Sequence, residues 1–493
     1  MQLNIQTPTE HDLYFSPLGN AVQNSTCIAT KYLDLGIKFI RVQCYTPEII
    51  PFLEKQLPYV LRNTAPHFEG TIVVWKINDI KDPLNGAIDC LTPRKNPRLR
   101  IEMLYNHKKY PDIQITENQH PVLTYNSTDG ILEAYDAKNQ TCYYGIQDFN
   151  PEELIKQGHL FVQQLNKLLQ TENTHLTHGA VLGLNQTGAL LCARGQRGKS
   201  TLTVHAMING FDYIADDYQI LDNRPEGLFA HPVYSIITLS PRMYNEMYDT
   251  FRGKFCCNNA RKDKYVFNIS DYHSQFRKNY PVRLCLFPEI SSVFSPEIKP
   301  CSAFDKGRAI VQFIHSTVMQ MRDLNNRTVI KKLFNMVHNL PFYKFDLCPD
   351  INRNTLYLRH FLENYTPQTK SEKLLDDVLV DVTFDLANLL DTRTFTLYSM
   401  NKFATHIYTL LCNGFSVSDL TSRLQSIPDC PSDIGQNIAF FKTLLEKKRF
   451  LLSPAPDMKD LPFNPQWATE CHFQLSLLEF TPDCTNELIR KGE

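Results

Sequence analysis

The sequence has no long apolar run, no cysteine motif and no excess of either charge. None of its 493 residues lies in an apolar stretch of about 18 residues or more, so no membrane-spanning helix is expected. Basic and acidic residues number 51 and 52, for a net charge of −1, which argues against a general nucleic-acid binder. No internal repeat is visible. The composition predicts a soluble globular protein of about two to four domains.

The 14 cysteines are scattered without C-x-x-C spacing, which gives no support to a zinc or redox motif. Residues 1–4 do not begin a signal peptide. We therefore expect reduced thiols, mostly buried, in a cytoplasmic protein with neither a membrane nor a nucleic-acid partner. The composition leaves a homo-oligomer open.

The most informative stretch is residues 178–220. The apolar run 188–192 predicts a buried strand, and residues 202–207 predict a helix that ends at Asn209-Gly210. Between them lies the polar, glycine-containing turn 193–201. A loop that enters a helix N-terminus presents backbone N–H groups to an anion, and the helix dipole favours negative charge there. This order predicts phosphate binding.

Lys199 and Ser200 carry the chemistry of a nucleotide site, because the lysine can reach the outer phosphates and the hydroxyl can bind Mg²⁺. The pattern G-x-x-x-x-G-K-[ST] is broken at Ala193, which can still form the turn if its φ stays negative. The alternative is a basic surface loop that contains G-K-S by chance. The predicted nucleotide-binding residues are Arg194, Gly195, Gln196, Arg197, Gly198, Lys199, Ser200 and Thr201.

Two acids, Asp216 and Asp217, follow the apolar run 213–215, and we expect them to end a strand. Carboxylates at the carboxyl end of a strand beside a phosphate loop can hold Mg²⁺ or accept a proton from an attacking hydroxyl. The alternative is a solvated turn after the strand. His178 precedes the strand at 188–192, where a histidine is more often structural than catalytic.

In these three elements the chain resembles HPr kinase/phosphorylase and its relatives, which are P-loop kinases similar to PEP carboxykinase. The family's His-Gly, P-loop and Ala-Asp-Asp have counterparts in His178-Gly179, Gly198-Lys199-Ser200-Thr201 and Ala215-Asp216-Asp217. The resemblance implies ATP and Mg²⁺ as cofactors. It implies metal binding by Ser200 and Asp217, and catalytic roles for Asp216, Asp217, His178 and Lys264, without deciding which acid is the base. Ala193 and Gln196 replace glycines of the bifunctional members, so phosphorylase activity is not expected.

The segment 252–264 holds five basic residues against one acid. A charged run of this kind is usually a solvated surface. The functional alternative is a flap whose Arg252, Lys254, Arg261 or Lys264 meets the transferring phosphate. Lys264 is the best match to the basic residues that the kinase family has after its acid pair.

The flanking residues predict an α/β protein of several domains. Residues 1–165 are predicted to form an α+β domain with strands at 35–44, 70–75, 98–104 and 131–134 and helices at 48–62 and 151–169. Residues 166–366 are predicted to form the P-loop catalytic domain, with further strands at 232–239, 280–288 and 340–345 and helices at 309–319, 329–339 and 355–364. Residues 366–373 predict a linker.

Residues 375–453 predict a strand and three helices, at 395–400, 402–412, 416–424 and 434–448. By hydrophobic pattern this segment resembles PqqD-like proteins, which are winged-helix modules that recognise leader peptides. The matching residues are Ser399-Met400-Asn401, Leu411, Gly414, Val417, Phe440-Phe441 and Phe450-Leu451. The alternative is a generic winged helix that packs on the kinase. Residues 454–493 show no interpretable pattern.

The sequence thus predicts an α/β protein with a P-loop kinase core of HPr-kinase/PEP-carboxykinase type, preceded by an α+β domain and followed by a winged-helix-like module. The predicted function is Mg²⁺-ATP-dependent phosphorylation of a hydroxyl on a peptide or protein, with a leader peptide as a candidate partner. One alternative is a nucleotide-binding scaffold that recognises peptides without transfer. Another is a kinase that acts on an amino acid or other small molecule.

Overall fold

The computed structural model of this chain shows a mixed α/β protein with several β-sheets. The residues that it describes are 26–76, 99–104, 112–117, 120–126, 131–146, 159–195, 197–246, 255–259, 264–269, 274–323, 326–366, 374, 377–382, 386–451, 465–481 and 484–487. The chain divides into two compact units, of which the first contains Met1–Gln186 and Ser200–Pro281, and the second contains Thr187–Lys199 and Val282–Glu493.

The first unit contains a nine-stranded sheet. Its strands are β1 (Ala29–Asp34), β2 (Phe39–Cys44), β3 (Leu61–Arg62), β4 (Gly70–Lys76), β5 (Leu99–Leu104), β6 (Asp112–Glu117), β7 (His120–Asn126), β8 (Ile131–Asp136) and β9 (Thr141–Ile146). They lie in the order β3-β1-β2-β4-β9-β8-β7-β6-β5, and β4 pairs in parallel with β2 and β9. The continuous apolar run of β4 fits its place inside the sheet, where both faces are buried. Helices α1 (Ile50–Gln56) and α2 (Val162–Leu169) belong to the same unit.

The acid pair lies in the middle strand of three antiparallel strands. These are β10 (Thr174–Leu184), β12 (Asp212–Arg224) and β13 (Gly227–Pro232), with β10 and β13 both paired to β12. Helix α3 (Lys199–Ile208) precedes β12, and Gly210, with a φ of 82°, follows its end. A separate three-stranded sheet has the order β14-β16-β15. Its strands and the adjacent helix are β14 (Ile236–Leu239), α4 (Pro241–Glu246), β15 (Phe255–Asn259) and β16 (Lys264–Asn268).

The second unit is built on parallel strands. They are β11 (Thr187–Leu191), β17 (Tyr280–Ile290, whose first two residues belong to the first unit) and β19 (Phe342–Leu347), with β18 (Glu297–Pro300) antiparallel to β19. Helices α5 (Ala303–Gln320), α6 (Arg327–Val337) and α7 (Ile351–Glu363) follow in the same unit. Each begins after a polar residue, Ser302, Asn326 or Asp350, whose side chain accepts a backbone N–H of the first turn.

The second unit also contains a five-stranded C-terminal sheet in the order β20-β21-β22-β23-β24. Its strands are β20 (Val378–Val382), β21 (Ala387–Asp391), β22 (Thr396–Met400), β23 (Leu477–Thr481) and β24 (Cys484–Glu487), and its helices are α8 (Lys402–Cys412), α9 (Val417–Gln425), α10 (Ile434–Lys448) and α11 (Pro465–Glu470). Phe403, Tyr408 and Phe441 are fully buried in the core that these elements share. A capping box of Ser416 and Asp419 begins α9.

Most predicted helices and strands are confirmed. The helices predicted at 402–412 and 434–448 match α8 and α10 residue for residue, and Gly414, with a φ of 85°, follows α8. The predicted strand at 188–192 is β11, shifted by one residue, and the predicted helix after it is α3. Local apolar periodicity and turn residues were sufficient signals in these segments.

Two predictions are wrong. The acids Asp216 and Asp217 do not end a strand, because β12 continues through them to Arg224. The helix predicted at 48–62 ends at Gln56, and Leu61 and Arg62 pair with β1 instead. For 454–493 the sequence predicts no element, and the structure adds β23, which pairs with β22. In β12 and β3, pairing with other strands outweighs the local propensity of the sequence.

Some predictions lie outside the described residues. These are the first part of the helix predicted at 151–169, up to residue 158, most of the linker at 366–373, and Arg252, Lys254 and Arg261 of the basic segment. The predicted domain boundaries stay predictions. Among the described helices, none is long and apolar enough to cross a membrane.

Two buried histidines predict lability in acid. Burial lowers the pKa of His406 in α8 to about 4, and burial together with the charge of Arg224 lowers that of His231 in β13 to about 4. The folded pKa lies below the unfolded value of about 6.5, so the unfolded chain binds more protons between these values. The contribution of each histidine to stability is therefore fully present above about pH 6.5 and is lost as the pH falls towards 4.

We expect each histidine to cost about 1–2 kcal/mol of unfolding free energy between about pH 6.5 and pH 5, measured by urea unfolding. His406→Gln should reduce this pH-dependent loss, whatever its effect at neutral pH. The exposed His360→Gln is the matched control and should leave the loss unchanged. If His406→Gln and the wild type lose the same stability, the pH-dependent loss does not come from protonation of His406.

Candidate functional site

The predicted phosphate loop connects β11 to α3. Strand β11 lies in parallel beside β17, and the Cys192 N–H donates to the Leu286 carbonyl at 2.8 Å, which anchors the start of the loop to the sheet. At its other end the loop enters α3 at Lys199. Ala193 is buried and is not among the residues with a positive φ, so alanine fits here as expected.

Gly198 occupies a position that requires glycine. Its φ is +87°, and a Cβ placed on it would lie 2.8 Å from Cδ1 of Leu347 and 3.8 Å from Cγ1 of Ile290. The left-handed backbone therefore disfavours any other residue, and an added Cβ would also have to displace the methyl end of the Leu347 side chain. Gly195, in contrast, has no such φ, and a Cβ there would meet no atom within 4 Å.

The Lys199 side chain folds back and bonds to the start of the loop. It is buried, and its Nζ donates to the carbonyl oxygen of Ala193 and, at 3.3 Å, to that of Arg194. The ammonium thus lies against the start of the loop while its Cα begins α3. An ammonium and a helix N-terminus on the same short loop both favour a bound anion.

Arg194 is held by residues that the sequence analysis did not single out. Its backbone N–H donates to Oε1 of Gln312 on α5 at 2.9 Å. Its guanidinium Nη2 lies 2.5 Å from Oδ2 of Asp381 on β20. His315, also on α5, has its pKa lowered to about 4 by burial and by the charge of Arg194, so it is neutral near pH 7. No sequence motif marks Gln312, His315 or Asp381.

The remaining predicted loop residues are near the helix start. Arg197 is half-buried, and Ser200 and Thr201 are half-buried in the first turn of α3. Gln196 lies outside the described residues.

The acid pair lies on β12 opposite β10. In this antiparallel register Asp216 faces Ala180, Asp217 faces Gly179 and Tyr218 faces His178. The ladder with β13 begins only at Gln219, after the two acids. Asp216 is buried, whereas the side chain of Asp217 is 20% exposed.

Asp217 has an uncommon backbone conformation and two polar neighbours. Its φ is +75°, in the region that non-glycine residues rarely adopt. Oδ1 lies 3.8 Å from Nε2 of His178, and the hydroxyl of Thr238 on β14 donates to Oδ2 at 3.5 Å. Backbone strain of this kind is concentrated at functional sites. The structure therefore brings His178 and Asp217 together and adds Thr238, which no sequence pattern marks.

Two tyrosines respond to the negative charge of the pair. Burial and then the charges of Asp216 and Asp217 raise the pKa of Tyr213 well above its usual value. Burial and the charge of Asp217 raise the pKa of Tyr218, whose ring lies edge-on to His178 at 5.6 Å. Both phenols stay protonated at neutral pH.

Lys264 is the first residue of β16, and its side chain is not described. Two residues further along, Val266 pairs with Thr238, the residue that contacts Asp217. Across the described part of the chain, no group of three or more His, Cys, Asp or Glu side chains could hold a metal ion by itself. Ser200 and Asp217 offer oxygen ligands, the type that Mg²⁺ prefers.

No protein-family model matches the sequence, and no curated protein matches it. Among solved structures, the chain is similar to the Hpr(Ser) kinase/phosphatase from Coxiella burnetii, with 10% sequence identity and a TM-score of 0.21 over 38% of this chain and 97% of that chain. At this identity and TM-score the match assigns neither a fold nor an activity to this protein.

The two loop glycines provide a matched test of the loop geometry. Gly198→Ala should destabilise the protein by about 1–3 kcal/mol, because alanine is strained at this φ and its Cβ overlaps Leu347. Gly195→Ala should change stability by no more than about 0.5 kcal/mol. Urea unfolding of both variants measures the difference. Equal effects of the two substitutions would contradict the described loop.

Proposed function

We propose that this protein is a Mg²⁺-ATP-dependent kinase that phosphorylates a hydroxyl of a peptide or protein. The observation that carries the proposal is the loop between β11 and α3, in which Gly198 has a left-handed backbone that favours glycine and Lys199 folds across the turn. A strand, a glycine-restricted loop and a helix that begins at a lysine are the parts of a phosphate-binding site. We propose for them the fold of a P-loop kinase of HPr-kinase/PEP-carboxykinase type.

In the proposed mechanism, the loop and Lys199 hold the β- and γ-phosphates. The phosphates displace the ammonium from the Ala193 and Arg194 carbonyls, which are its partners in this structure. Mg²⁺, bound by Ser200 and Asp217, would neutralise charge on the phosphates. Phosphoryl transfer depends mainly on positioning and charge stabilisation, so a small set of groups is sufficient.

Exposure separates the roles that we assign to the two acids. Asp217 is the more exposed, so we assign it the contacts with the metal and with the incoming hydroxyl, whose proton it accepts as the hydroxyl oxygen bonds to the γ-phosphorus and the bond to ADP breaks. His178 and Thr238 orient its carboxylate. Asp216 is buried and adds a second negative charge next to Asp217, which would favour the bound cation. Lys264 is proposed to meet the transferring phosphate.

The acceptor is assigned to a peptide because of the C-terminal part of the chain. We propose that residues 375–453 form a winged-helix-like module that binds a leader peptide and presents the acceptor to the kinase. The support is the strand followed by α8, α9 and α10 around one apolar core, together with β24 at one edge of the described sheet. A sheet edge can bind an extended peptide through backbone hydrogen bonds.

Lys199→Ala tests nucleotide binding. The affinity for Mg²⁺-ATP, measured by calorimetry, should fall about 10- to 100-fold, because a charge-assisted contact to phosphate is lost. Lys402→Ala is a matched control, since Lys402 is also the first residue of a helix but its Nζ lies 3.5 Å from a carboxylate oxygen of Glu470 and not on the loop. Unchanged affinity in Lys199→Ala would refute the phosphate loop.

Substitutions in the acid pair test transfer. Asp217→Asn should lower turnover by roughly a hundredfold, and Asp216→Asn by less, because Asp217 makes the direct contacts. Phosphopeptides formed from Mg²⁺-ATP and peptides encoded beside the gene would be quantified by mass spectrometry. Asp222→Asn, on the same strand but paired with Arg224, is the control. If the wild-type protein binds ATP but phosphorylates no peptide, the nucleotide-binding scaffold replaces the kinase proposal.

A further inference from the structure

Asp381 is a charged residue without solvent exposure. It lies on β20, and its carboxylate contacts two other elements of the second unit. Oδ2 forms a close ion pair with Nη2 of Arg194 at 2.5 Å, and Oδ1 accepts a hydrogen bond from Nε2 of Gln312 at 2.9 Å. Arg308 lies further away, with its Nε 3.9 Å from Oδ1. A carboxylate buried in this way is stable only while its partners stay in place.

Gln312 links this carboxylate to the backbone of the phosphate loop. Its amide nitrogen donates to Asp381, while its amide oxygen accepts the N–H of Arg194 at 2.9 Å. Only one orientation of the amide satisfies both bonds. Asp381 therefore fixes Gln312, and Gln312 fixes the loop backbone at Arg194. The same carboxylate also holds the Arg194 side chain, so the residue is restrained at two points.

A restrained loop binds a ligand more tightly than a mobile one, because the entropy of ordering is not lost at the moment of binding. The loop is anchored by β11 at its start and by α3 at its end. Between these anchors, the contacts of Arg194 with Gln312 and Asp381 restrain its first part. They come from α5 and from the C-terminal sheet.

We propose that Asp381 is a positioning residue for the phosphate loop, which makes the C-terminal sheet a support of the nucleotide site. The carboxylate does not touch the nucleotide; it acts through Arg194 and Gln312. The inference rests on the proposed function, since it assumes that the loop binds phosphate. Beyond that function, the inference says that the affinity for nucleotide depends on contacts made by β20.

Asp391 provides a matched control. It is also a buried aspartate of the same sheet, on β21, and it also pairs with an arginine. Arg393 donates to it from Nε and Nη2, both at 2.8 Å. This arginine lies two residues along the chain and is not part of the phosphate loop. Asp391→Asn therefore removes a buried charge of the same kind without releasing Arg194.

Hydrogen exchange of the free protein tests the inference without nucleotide. In Asp381→Asn, which keeps the shape and removes the charge, amide exchange in a peptide covering 187–199 should rise about tenfold. Asp391→Asn should leave exchange of that peptide unchanged, and any faster exchange should be confined to its own part of the C-terminal sheet. Unchanged exchange of the loop in Asp381→Asn would overturn the proposal.

Gln312→Met keeps the ion pair but removes both amide bonds, so it decides the question if Asp381→Asn does not fold. It should also raise exchange of the loop about tenfold, and unchanged exchange would overturn the link through Gln312. Both variants should weaken Mg²⁺-ATP binding about tenfold in calorimetry, and Asp391→Asn should not. If the wild-type protein binds no nucleotide, the proposed function fails, while the exchange data still decide whether Asp381 positions the loop.

Discussion

The buried charge of Asp381 is a constraint that links three elements of the second unit. A carboxylate with no exposure cannot be left without cations and donors, because burying an uncompensated charge costs several kcal/mol. The chain meets this requirement with Arg194 from the loop and Gln312 from α5. Strand, helix and loop are therefore not independent, although each is far from the others in the sequence.

Compensation of buried charges by ion pairs continues in the parallel sheet. Arg308, near Asp381, also pairs with Glu289 on β17 at 3.0 Å, and Lys344 on β19 pairs with Glu289 at 2.9 Å. Burial raises the pKa of Glu289, but the two cations outweigh it and hold that pKa below its usual range. Since Glu289 stays ionised, the charges alternate in sign along this part of the unit, and each compensates its neighbours.

The acid pair obeys a different constraint in the first unit. Two adjacent carboxylates inside a strand are unfavourable because like charges repel; on β12, Asp216 is buried and Asp217 has a left-handed backbone. The positive φ of Asp217 costs about 1–3 kcal/mol for a non-glycine residue and persists only where the surrounding structure holds it. The contacts of Asp217 with His178 and Thr238 provide that support.

The sequence by itself determined the elements that depend on neighbouring residues. It located the glycine-lysine loop between a strand and a helix, and it set the bounds of α8 and α10, because turn chemistry and helical periodicity are short-range signals. Only the tertiary structure decided that β12 continues past Asp217, that β23 joins β22, and that Asp381 meets Arg194. Strand pairing and buried charge pairs are selected by partners distant in the chain, which local propensity does not encode.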